Sequence, residues 1–167
     1  MYGLETLTWT MNDLAKLEVA QNKVGRIALG ANKYVAVEAI RGEAGWSTFS
    51  ERIEKGILRY RVRLERMDGN RWAKKVFEWA KQKGRWNKMC DKKVERYRMH
   101  GIMSGESMAR WTNEKWKREI NRRVQDTGVD EWHRSMQAKS SLEYYLAKPK
   151  PKSETFYDCS VVVVVVE

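Results

Sequence analysis

The chain has little of what breaks helices and little of what staples a fold together. Its 167 residues include two prolines, two cysteines and two histidines. Proline removes a donor and clashes with the preceding turn, so its scarcity leaves most of the chain free to be helical. Pro149 and Pro151 both fall in the run KPKPKSE near the C-terminus. Each disfavours helix in the residue before it, and residues 148–167 are therefore expected to be a Pro/Lys linker followed by a poly-Val tail. Cys90 and Cys159 form no CxxC pair and have no histidine cluster nearby, which argues against a disulfide framework or structural zinc and predicts free thiols. No metal site and no cofactor are expected.

Long apolar runs are missing too. Nothing approaches the roughly 18 apolar residues that read as a membrane span, and the N-terminus lacks a basic start followed by an apolar stretch. The expectation is a soluble intracellular protein, cytoplasmic or nuclear, with no membrane partner. Catalytic motifs are equally absent: there is no GxxxxGK[ST], no GxGxxG after a strand, no HExxH, no GxSxG and no adjacent Asp-Asp pair. His100 and His133 stand alone. Asp130-Glu131 falls at an expected helix start, where capping explains it better than acid/base chemistry. No catalytic residue is assigned.

What the chain has is positive charge, aromatics and helix formers. Lys and Arg number 33 against 22 Asp and Glu, a net charge of +11 with a pI near 9.7, which favours polyanionic partners. With few prolines and many Lys, Arg, Glu, Ala and Met, the fold class expected is all-α, an irregular array of about six to seven helices. The first reads from a Thr10 or Asn12 cap, with Leu14, Leu17, Ala20, Val24, Ile27 and Ala28 as its inward stripe and Gly30 as its stop. A second spans Val35 to Arg41, closed by Gly42. Ser47 caps a third, Thr48 to Met67, whose core stripe is Phe49, Ile53, Ile57, Tyr60, Leu64 and Met67.

On that third helix a second stripe, Arg52, Lys55, Arg59, Arg63 and Arg66, lies about 100° around from the first. A fourth helix, Asn70 to Lys83, turns Trp72, Val76, Trp79 and Ala80 to one side, with Arg71, Lys74, Lys75 and Lys81 around them. A fifth runs Arg85 to Arg98 and repeats the basic stripe at Arg85, Lys88, Lys92 and Arg96. After a loop at His100 to Ser107, a sixth helix ends at Gly128, and a seventh, capped by Asp130, covers Glu131 to Ala147. The terminal valines are strand-forming or aggregation-prone.

Charge and rings are concentrated together. Residues 59–98 hold fifteen Lys or Arg and five Asp or Glu, nearly all of the chain's excess, interleaved with Tyr60, Trp72, Trp79, Trp86 and Tyr97. A basic face beside aromatic rings suits phosphate contacts and base stacking. Tryptophans at helical spacing are more often core, and charged stripes more often plain surface. The candidate nucleic-acid-binding residues are Arg52, Lys55, Arg59, Arg63, Arg66, Arg71, Lys74 and Lys75.

The run LEVAQNKVGRIALGANKYVAVEAIRGEAGW, then ERIEKGILRYRVRLERM and NRWAKKVFEW, resembles the region C-terminal to the polymerase palm in LINE-type (non-LTR) retrotransposon endonuclease/reverse transcriptase polyproteins. The likeness begins at Tyr2-Gly3-Leu4-Glu5 and continues through KSSLEYYLAKPKPKSETFYD to about Asp158. It implies a thumb-like part over about 1–83 and a basic helical extension over about 84–147, together one helical domain over 1–147. It also implies a grip on the backbone of RNA or DNA, without sequence preference, and a polymerase palm as a further partner. The family's polymerase signature, an aromatic, one residue and two aspartates, has no counterpart here, nor do its endonuclease domain and downstream cysteine/histidine cluster. The expectation is a truncated, non-catalytic reverse transcriptase fragment that binds nucleic acid. The alternatives are a degenerate remnant without activity or a helical protein-interaction module.

Overall fold

The computed structural model describes residues 3–81, 83–104, 106–139 and 142. Among them are seven α-helices, one 3-10 turn and no strand. The fold class is all-α. The turn is Leu4–Thr6, and the helices are α1 Met11–Ala28, α2 Val37–Ala44, α3 Phe49–Glu65, α4 Trp72–Trp79, α5 Arg85–Arg96, α6 Glu106–Arg110 and α7 Asn113–Gln137. Two compact units divide the chain: Met1–Leu14 with Ser50–Thr127, and Ala15–Phe49 with Gly128–Glu167. The linker and valine tail expected over 148–167 lie outside the described residues.

In the first unit α3 is the central element. Leu58 and Val62 pack with Val94 and Tyr97 from the α5 end, Met99 from the turn after it, and Trp116, Ile120 and Val124 of α7. The segment after α5, expected to be a loop, folds inward: Ile102 and Met103 join the core, and Arg98 takes a left-handed φ of 51° so that the Met99 amide reaches back to the Val94 carbonyl at 2.8 Å. Arg123 donates to the Tyr97 and Arg98 carbonyls, satisfying the exposed end of α5. Glu54 is buried among donors, accepting from Tyr97, Lys93, Arg96 and Ser50. A carboxylate so surrounded is a structural anchor.

The second unit has a smaller core, Ala39, Met136 and Leu142, with Val35, Ala36 and Trp132 against it. Trp132 donates to the Glu38 carbonyl at 3.1 Å. Burial works against ionisation of the Glu38 carboxylate, but hydrogen bonds from Lys139 and Ser135 outweigh it and hold its pKa below the ordinary value.

Several expectations are corrected. On α1 the inward face carries Gln21, Asn22 and Gly25, while Val24 and Ile27 point outward. Gly25 lets Ile40 and Trp46 approach, Gln21 donates to the Ser47 carbonyl, and Arg26 to that of Val35. Of the expected apolar stripe, Leu14 and Leu17 are half-buried. Gly42 does not close α2, which runs on to Ala44 and ends in a Schellman turn at Gly45, φ 61°. The sixth and seventh helices are one: α7 continues through Gly128 and Asp130 to Gln137. Of the two caps offered for α1, Thr10 is used, in a reciprocal pair with Asp13.

Candidate nucleic-acid interface

The basic stripe of α3 is real, and α7 lies along it. Arg59 donates to Asn121 Oδ1 at 2.5 Å and Arg66 to Asn113 Oδ1 at 2.7 Å, so α3 and α7 run antiparallel there. The register between those contacts sets Lys117, one turn from each asparagine, opposite Arg63. Both Arg63 and Lys117 are exposed. Lys117 is absent from the sequence-derived set because only the pairing of the two helices brings it to the stripe.

The neutral partners matter. An arginine held by a carboxylate has its charge largely cancelled, whereas one held by an amide oxygen is positioned with its charge intact. Partial burial lowers the Arg59 pKa from its ordinary value, and an arginine starts so far above neutrality that it remains charged. Arg59, Arg63 and Arg66 with Lys117 therefore form a pre-oriented cationic ridge. Among the described residues none of these four has a carboxylate partner.

The other candidates divide. Arg52 is exposed and Lys55 half-buried, each with interactions of its own. Arg71, which precedes α4, and Lys75 on it are both exposed. Lys74 is buried: it donates to the Glu65 carbonyl at 3.0 Å and pairs with Glu78 at 3.3 Å, so it leaves the phosphate-facing set. Arg61 is likewise turned inward to Glu65 and Asp91. Arg96, counted in the α5 stripe, is drawn to Glu54.

The rings divide as well. Tyr97 is core, and Trp86 is half-buried, donating to the Glu5 carbonyl at 2.8 Å and meeting Tyr60 and Phe77 edge-on. Trp72 and Trp79, which the helical spacing put on one side of α4, are 81% and 86% exposed. The inward face of α4 is instead Lys74 and Phe77. Phe77 is buried, with Arg61 and Lys74 over its ring at 5.1 and 5.5 Å.

Cys90 is buried, and desolvation, partly opposed by Arg61, pushes its thiol up to about 12, far from a reactive thiolate at neutral pH. Among the described residues no group of three His, Cys, Asp or Glu could hold a metal ion, and no helix is long and apolar enough to cross a membrane. No protein-family model matches the chain, and neither a curated protein nor a solved structure does.

Proposed function

We propose that the first unit is a non-catalytic module that grips RNA or DNA by its phosphate backbone, without reading sequence, as a piece of a LINE-type reverse transcriptase. The observation that carries this is the α3 ridge, where Arg59 and Arg66 are fixed by asparagine amides and Arg63 and Lys117 stand free between them. Cations spaced along a helix pair neutralise successive phosphates and release counterions, so affinity falls steeply with salt. The chain's charge of +11 works in the same direction.

Replacing Arg59, Arg63 and Arg66 together with glutamine is expected to reduce the slope of log affinity against log salt by about two to three, roughly 0.9 for each phosphate no longer neutralised. Binding should weaken alike on unrelated sequences, because phosphate contacts carry no base information. Fluorescence anisotropy with a labelled duplex over a salt series reads both quantities. An unchanged slope, or no binding at low salt, overturns the proposal.

A second reading rests on the second unit. Val24 and Ile27 of α1 are 57% and 72% exposed, an apolar face that fits a helical module packed on another domain, such as a polymerase palm.

A further inference from the structure

We infer that α4 is a stacking platform for unpaired bases, so that the module prefers single-stranded nucleic acid to duplex. The inference rests on the phosphate-binding reading above and adds the strand state of the ligand.

The helix is built inside out. Its charged Lys74 is buried and neutralised by Glu65 and Glu78, while its two tryptophans face solvent. Trp72, Val76 and Trp79 fall at i, i+4 and i+7, within about 60° of one another around the axis. Seven residues set the two rings roughly 10 Å apart along the helix, about three base steps at the 3.4 Å spacing of a stacked strand. A cation stands at the flank: the Lys75 ammonium lies 5.7 Å from the centre of the Trp72 ring, and exposed Arg71 immediately precedes the helix.

Exposed rings with cations on one side match a strand that offers bases and phosphates on opposite edges. A duplex keeps its bases stacked and presents only phosphates to such rings. An anionic membrane surface would also attract lysine beside tryptophan. However, interfacial helices bury a broad aliphatic face, and here a single valine lies between the rings over eight residues.

The test uses the full chain and its W72A/W79A and W72F/W79F variants, with labelled oligouridylate and a blunt RNA duplex of equal length as probes. Both rings are exposed, so the variants should keep the wild-type helical content and melting temperature. The expected result is a loss of roughly tenfold or more per ring on oligouridylate for W72A/W79A, partial retention for W72F/W79F, and unchanged duplex affinity. The salt slope on the duplex should not move.

Equal affinity of wild type for both probes, or an equal loss on both in W72A/W79A, overturns the stacking platform and leaves the phosphate grip standing. Absence of salt-dependent binding to either probe overturns both. Binding to phosphatidylserine vesicles that depends on the two rings, with oligouridylate affinity unaffected by the substitutions, assigns the face to lipid and likewise overturns the inference.

Discussion

At the scale of single residues, polar groups find partners far away in sequence, as Glu54 does in Tyr97, or one turn along a helix, as Glu119 does. Glu119 accepts from Arg122 at 2.6 and 3.0 Å and from Arg123 at 2.6 Å. The Arg122 bonds first, with Arg123 adding and burial opposing, hold the Glu119 carboxyl down to about 2 from its ordinary 4.5. A folded-state pKa below the unfolded one means stability that is fully present above about pH 4.5 and lost as the pH falls toward about 2. Glu119→Gln should therefore cost about 1 kcal/mol or less at neutral pH, a small value because Arg122 is solvated and the pair is screened. The gap between variant and wild type should close near pH 2, as urea denaturation at both pH values would show. Thr10 and Asp13 are legible at this scale, since a threonine followed three residues later by an acid at a helix start is a local pattern. The left-handed Arg98 is not, because its conformation is secured by Arg123, 25 positions on.

At the scale of elements, helices are legible, and so is the inward face of α3, where Ile53, Ile57 and Leu64 are buried as their spacing predicts, whereas the inward faces of α1 and α4 are not. Existence follows from composition and period, so α1, α3, α4 and α5 appear where the apolar spacing puts them, with ends shifted by a few residues. The face is decided by what the neighbour can accept. On α1 the closest approach is at Gly25, where an added Cβ would stand 2.7 Å from Ile40 Cγ2 and 3.2 Å from the Trp46 ring. That methyl sits directly on a branched Cβ and has little freedom to move aside. Alanine gains up to about 1 kcal/mol in helix propensity, yet overpacking at such a point costs about 1–3 kcal/mol. Gly25→Ala should lower stability by about 1 kcal/mol, read as a drop in melting temperature. On α4 the spacing put the tryptophans on one side, and in the structure the buried ring is Phe77, with Arg61 and Lys74 over its face.

At the scale of the whole molecule, burial is uneven between the two units. Among the described residues the first unit's contiguous cluster joins eight buried apolar side chains from Leu58 to Val124, and the second unit's joins three, Ala39, Met136 and Leu142. Local opening costs least where little apolar surface is packed away. Native-state hydrogen exchange should accordingly protect the amides around Leu58 to Val62 of α3 most strongly, and those of α2 by a smaller factor. Equal protection of α2 and α3 would mean that the small core is reinforced by more than its apolar packing. For the proposed function the consequence is favourable, because Arg59 and Arg63 are carried on the better anchored helix.

Composition and local spacing by themselves determined that the chain is helical, where most helices fall, and that cations crowd residues 59–98. Those properties depend on backbone propensity and on neighbours within one turn. Only the tertiary structure decided which of those cations are free to act. Lys74, Arg61 and Arg96 were claimed by carboxylates from other turns and other helices, Lys117 was brought in by the pairing of α3 with α7, and Trp72 and Trp79 were left outside. Each of these outcomes turns on which side chains meet across helices, and that is a property of packing which no period along one helix contains.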